Sequence, residues 1–236
     1  MSAIAQPLVF WLVLGSGLRT SFRPPGAAEG TNYLAYFYPG IVVLVILFTS
    51  IFATISIVQD RREGFLQGVL VAPVPRWCVV FGQALGSTTL ALLEGVLFLL
   101  LAPIIGVSLH LGAVFAIVGV MFLLAFGLTN LGLIIAWRTD STQGFHAIMT
   151  LLLLPIWMLS GAFFPVSGAP IWLEWAMKLN PLTYGVAALR RCLYLGNSAA
   201  VGEIPELGLS LLITVLFCVL VFVGAARTAY RHPNIG

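Results

Sequence analysis

Gly95-Val96-Leu97-Phe98-Leu99-Leu100-Leu101-Ala102-Pro103-Ile104-Ile105-Gly106-Val107-Ser108-Leu109-His110-Leu111-Gly112 opens a run that carries no Asp, Glu, Lys or Arg until after Trp137. A helix needs about 20 apolar residues to cross a bilayer, so this run is far too long for one crossing. Pro103, Gly106, Ser108, His110 and Gly112 supply turn chemistry in its middle. The run is therefore read as two membrane-crossing helices back to back. A barrel is excluded by continuity: Leu97–Leu101 and Leu151–Leu154 are unbroken apolar runs, where barrel strands alternate. In lipid, that leaves helices as the structure that satisfies its own backbone.

Working outward from this hairpin, apolar stretches fall at 4–18, 38–58, 77–105, 112–137, 145–164 and 207–226. The first is short for a span. The whole chain agrees with a lipid environment: 236 residues, 60% hydrophobic, 8% charged and a mean hydropathy of +1.07. Soluble domains carry about 25% charged residues. The expected fold class is an all-α integral membrane protein, one domain over 1–236, with six transmembrane helices and both termini on one face. Arg61, Arg62, Arg76, Arg138, Arg227 and Arg231 lie on the face of the termini; Arg19, Arg23, Lys178, Arg190 and Arg191 lie opposite. The positive-inside rule then makes the termini cytoplasmic, by a narrow majority.

Two connections hold more than a turn. After Gln59-Asp60, the segment from Arg61 to Leu70 places Phe65, Leu66, Val69 and Leu70 on one helical face, with Glu63 and Gln67 on another. Ala72-Pro73-Val74-Pro75-Arg76 stops this helix. It is either a helix lying in the headgroup region or a rigid knob for a partner to push. On the other face, Trp172, Trp175 and Leu179 form a stripe, with Glu174 and Lys178 paired four apart. Asn180-Pro181 ends that helix and starts the next, Asn as cap and Pro as first residue. Leu182, Val186, Leu189 and Leu193 give the second helix its apolar face, and Arg190-Arg191 close it with positive charge. Both helices are too short to cross and either lie in the outer interface or dip into it, with the tryptophans as anchors.

Chemistry is sparse. No Gly-x-x-x-x-Gly-Lys-Ser/Thr loop occurs, and the sole lysine, Lys178, follows Ala176-Met177. Glu94 is the carboxylate at membrane depth, about 25 Å along the third span from Arg76. It serves either a pathway or helix packing, and Leu90 and Phe98 at i±4 give it no partner on its own helix. Ser160 and His146 lie about 21 Å apart on one helix, too far for a nucleophile and its base. No catalytic set, zinc motif or nucleic-acid surface is present, and Cys78, Cys192 and Cys218 have no metal-ligand spacing. Gly82 and Gly86 form a Gly-x-x-x-Gly pair suited to close helix contact, within the chain or in a dimer.

Three stretches together resemble one family. Arg61-Arg62-Glu63-Gly64-Phe65-Leu66-Gln67-Gly68-Val69-Leu70-Val71-Ala72-Pro73-Val74-Pro75-Arg76-Trp77 is similar to the segment after the second span of type-2 ABC exporter permeases. Asn180-Pro181-Leu182-Thr183-Tyr184 looks like that family's outer motif, and Leu159-Ser160-Gly161-Ala162-Phe163-Phe164-Pro165 like the end of its fifth span. The resemblance covers the chain from about residue 5, and within the family it is strongest to the drug-resistance and nodulation-type exporter permeases. It implies a coupling helix at about 61–71, docking on a separate cytoplasmic ABC ATPase that binds ATP and Mg, and an outer re-entrant helix pair at about 170–195. It also implies a cell (inner or cytoplasmic) membrane location with cytoplasmic termini, and pairing as a homodimer or with a related permease. The family usually begins with a basic amphipathic elbow helix, whereas this chain starts almost inside its first span. An acidic residue, common in the family at the position of Ala187, is missing.

The expected function is thus the permease subunit of an ATP-driven exporter, not an enzyme by itself, moving an amphipathic drug, lipid-linked or polysaccharide-type cargo. Arg61, Arg62, Glu63, Phe65, Leu66 and Arg76 are the expected coupling residues, with Phe65 and Leu66 as apolar contacts in an ATPase groove. The alternatives are an ATP-independent secondary transporter or channel, which predicts paired buried charges, and a membrane scaffold without transport.

Overall fold

The computed structural model describes residues 2–17, 33–71, 73–107, 111–163, 165–166, 169–194 and 204–231. Arg19, Arg23, Ser108, His110, Phe164 and the side chains of Gln67, Leu70 and Arg231 lie outside the described residues. The described chain is helical, without a strand: α1 Ser2–Gly17, α2 Tyr33–Phe52, α3 Ile55–Arg62, α4 Phe65–Val71, α5 Arg76–Leu99, α6 Leu111–Ala136, α7 Thr142–Trp157, α8 Ile171–Leu179, α9 Pro181–Leu193 and α10 Leu207–Arg231. Among the described residues, five stretches are long and apolar enough to cross a membrane: Tyr33–Arg62, Arg76–Ile104, Leu111–Ala136, Thr142–Ala162 and Leu207–Tyr230. The apolar part of α1, Pro7–Gly17, is shorter.

The charge-free run does turn at Pro103 and Gly106, whereas Gly112, expected in the turn, lies inside α6. α5 ends at Leu99, a short 3₁₀ turn covers Ala102–Ile105, and α6 starts at Leu111. α7 begins earlier than hydropathy suggests, because the Ser141 side chain accepts a hydrogen bond from the Gly144 amide at 3.0 Å and caps the helix.

α2 is the central helix. Its Ile41-Val42-Val43-Leu44-Val45-Ile46-Leu47 is apolar on every side, and every one of these residues is buried. The α2 stretch buries 67% of its apolar window, against 28% for α10 at the periphery. α1 packs on α2 through Trp11, whose ring lies edge-on to Tyr38 and Phe98 and whose Nε1 donates to Leu34 O. The wide helical turn Met158–Ala162 that follows α7 comes close to α2 at Gly40, where an added Cβ would sit 3.0 Å from the Ala162 backbone. The Trp157 Nε1–H bonds the Gly40 carbonyl at 2.8 Å. Gly82 and Gly86 behave otherwise: an added Cβ at either meets nothing within 4 Å, so that pair packs against no described part of this chain.

Candidate functional site

The α3–α4 connection is built by one left-handed glycine. Gly64 has φ +78°, a conformation that costs a residue with a side chain, and it separates α3 from α4. Arg61 and Arg62 therefore finish α3 instead of starting the helix expected at 61–71, which begins at Phe65. The turn also separates neighbours in exposure. Phe65 is 65% exposed, whereas Leu66 is 3% exposed and belongs to the apolar core. Arg62 and Glu63 are exposed beside Phe65.

The two flanking arginines face inward. The last carbonyls of a helix lack intrahelical donors and carry the negative end of its dipole. Arg61 Nη2 donates to Ala136 O and Trp137 O, at 3.1 and 3.0 Å, where α6 ends. Its Nη1 reaches Thr139 O and Asp140 Oδ1, both at 3.4 Å, and its guanidinium lies 5.7 Å from the Trp137 ring centre. Asp140 is almost fully exposed, so this ion pair adds little and the carbonyls hold Arg61. Arg76 Nη1 does the same for α10, donating to Ala229 O at 3.0 Å and Tyr230 O at 3.3 Å.

Inside the helices, Glu94 has a partner that its own helix could not supply. The Thr49 hydroxyl of α2 donates to Glu94 Oε2 of α5. Thr49 also lines a half-open cavity of about 650 Å³ between α1, α2 and α7, walled by Phe10, Phe48, Phe52, Thr150 and Trp157. Size and lining, aromatic walls with few polar points, suit a small amphipathic molecule. Ser160 and His146 form no catalytic pair: Ser160 Oγ donates to Trp157 O at 2.5 Å, and His146 rests against Phe52 with ring centres 5.1 Å apart.

At the far end of α7 stands the α8–α9 pair. Asn180 caps α9 as its sequence suggests: its Oδ1 accepts from the Leu182 amide at 3.0 Å, while its Nδ2 donates to Ile156 O at 2.6 Å. Thr183 Oγ1 donates to Met177 O at 2.6 Å, and Tyr184 OH to Lys178 O at 3.0 Å. Trp172, Trp175 and Leu179 are exposed on one stripe, and Lys178 pairs with Glu174 at 2.6 Å. Arg190 is 2% exposed, its guanidinium 4.2 Å from the Tyr36 ring centre and bonded to Gly161 O at 3.2 Å. Just beyond α9, burial pushes the Tyr194 hydroxyl up to about 12, with the Arg190 charge opposing the rise. Arg191 instead grips Pro205 O and Ile204 O, at 2.7 and 2.8 Å, ahead of α10.

The sequence has relatives among known proteins. The family model for ABC-2 type transporters matches residues 1–194. The chain belongs to that family. A transport permease named ycf38 from Cyanophora paradoxa is 31% identical over 194 residues, 80% of this chain and 66% of that protein. Nodulation protein J of Rhizobium leguminosarum bv. trifolii is 28% identical over 189 residues, covering 79% of this chain and 71% of its own length. The multidrug ABC transporter permease YbhR of Escherichia coli K12 is 21% identical over 154 residues, 65% of this chain and 42% of that protein. The matched part thus spans just under two thirds of the ycf38 relative.

Within this ABC-2 family member, Arg62, Glu63 and Phe65 share one exposed patch, while Arg61, Leu66 and Arg76 are turned into the protein. Asn180 to Tyr184 form one hydrogen-bonded corner, and Glu94 lies apart from both groups. Sequence reasoning missed Arg190, read there as a terminal charge. The signal was present: Arg190 falls at i+4 from Val186 and i−3 from Leu193, on the apolar stripe itself.

Proposed function

We propose that this chain is the permease subunit of an ATP-driven exporter, six times across the cell (inner or cytoplasmic) membrane with α1 as the first crossing and both termini cytoplasmic. α4 is its coupling helix, and α8 and α9 form an outer re-entrant pair. A separate ABC ATPase holds ATP and Mg and supplies the energy of hydrolysis. Two copies, or one copy with a related permease, enclose the path. The family match supports the permease role. The observation that carries the coupling site is the exposed Phe65, flanked by Arg62 and Glu63 on a segment whose ends are both tied to other helices. An unpartnered aromatic on a short, anchored helix is an apolar peg ready for a partner's groove.

The α1–α2–α7 cavity faces the cargo. Its aromatic lining and two threonines favour an amphipathic drug, lipid-linked or polysaccharide-type cargo. Glu94, bonded to Thr49 behind this wall, holds α5 to α2 and sets the Thr49 rotamer. The test is purification from native membranes in mild detergent, with identification of stoichiometric partners and of vanadate-sensitive ATP hydrolysis. A P-loop ATPase should copurify with the unaltered chain and be lost with Phe65→Asp while the chain stays folded. A folded preparation without ATPase that exchanges ions in vesicles overturns the proposal in favour of a secondary carrier.

A further inference from the structure

Arg61 and Arg76 bracket α4, one near the end of α3 and one at the start of α5. Each spends its guanidinium on the final carbonyls of a different helix: Arg61 on α6 at Ala136 and Trp137, Arg76 on α10 at Ala229 and Tyr230. Those two helices pack on each other. The Cys218 thiol of α10 donates to Leu123 O of α6 at 3.0 Å, and Phe126 and Phe222 lie 5.8 Å apart. Phe81, five residues beyond Arg76 on α5, touches both rings, at 6.2 Å from Phe126 and 5.9 Å from Phe222. The segment and the α6–α10 pair therefore form a closed ring of contacts. Arginine suits the task because its planar fork spans two neighbouring carbonyls with fixed geometry, and its charge meets the negative ends of both helix dipoles.

We propose that Arg61 and Arg76 are positioning residues that fasten the two ends of the coupling segment to the α6–α10 pair, so that displacement of α4 carries that pair with it. The proposal rests on α4 being the contact for the ATPase. Without the two clamps, α4 would still be pushed, but the motion would reach α6 and α10 only through side-chain packing such as Phe81 on Phe126 and Phe222, not at their last carbonyls. The pair in turn supports α9, since Gly185 of α9 abuts Leu124 of α6. The clamps thus set which helices answer the partner, while Phe65 sets whether the partner is engaged.

The experiment is hydrogen exchange on the copurified complex in nanodiscs, with and without ATP plus vanadate. The unaltered complex should show nucleotide-dependent exchange in 65–71, in 133–140 and in 226–230 together. In the Arg61→Gln/Arg76→Gln double variant the response at 65–71 should persist and both helix-end responses should be lost. Arg76→Gln alone should silence 226–230 and spare 133–140, which a general loss of folding would not do. Arg61→Lys/Arg76→Lys should retain part of the response that the Gln pair loses, keeping charge without the fork. Helix ends that still respond in the double variant, or that never respond in the unaltered complex, overturn the proposal. Absence of a copurifying ATPase, or of any response at 65–71 in the unaltered complex, overturns the exporter reading itself and this inference with it.

Discussion

The α3–α4 segment and the α8–α9 pair are both short helical pieces at opposite ends of α7, yet they are held in opposite ways. The first keeps Phe65, Arg62 and Glu63 outside, and its α4 rests on the buried Leu66 between the grips of Arg61 and Arg76. In the second, α9 buries ten of its thirteen residues and is held along its length by Asn180, Thr183 and Arg190. A piece that rests on one buried side chain between two flanking grips can move as a unit and present a surface. A piece buried on all sides is part of the core, and its contribution is to shape what surrounds it.

The largest effect that would sharpen this contrast is expected at Arg190. Arg190→Ala removes a buried stem, a desolvated cation–π contact with Tyr36 and the bond to Gly161, and should cost about 3 kcal/mol. Tryptophan fluorescence during thermal unfolding in detergent would register it; an unchanged midpoint would break the claim that α9 is core. Leu66→Ala comes next, at about 2 kcal/mol, as the buried member of the α4 pair. Asn180→Ala should cost about 1 kcal/mol through loss of the α9 cap, read as a smaller fall in the same midpoint. Phe65→Asp should sit last, within about 0.5 kcal/mol of the unaltered chain, because its ring is already out. If Phe65→Asp proves as damaging as Leu66→Ala, the exposed patch is not a free surface and the comparison fails.

Much of this was legible in the residues. The turn at Pro103–Gly106, the Asn180 cap, the Glu174–Lys178 pair and the apolar stripe of α9 depend on local geometry, and local geometry repeats wherever the same residues occur. The sites that involve charge were less legible. Arg61, Arg76 and Arg190 look alike in sequence, each beside a helix end or another arginine. Their partners lie 75, 153 and 29 residues away, as carbonyls that carry no side-chain signature. The same holds for Glu94, whose partner Thr49 stands on another helix 45 residues away. Only Gly64 gave notice of the break between Arg62 and Phe65, and its φ of +78° becomes visible once the chain is folded.

The sequence by itself determined that the chain crosses a membrane as helices, roughly where those helices start and stop, and which short helices lie at their ends. Apolar length and turn residues decide these points, and lipid demands them. The tertiary structure alone decided which apolar faces are inside. Ile41–Leu47 and the stripe of Leu90, Leu93 and Leu97 read the same in hydropathy, yet the first is buried and the second exposed. In water, burial and hydrophobicity go together and a sequence discloses its core. In a bilayer the solvent is as apolar as the core, so packing shape and a few polar grips across helices choose between them.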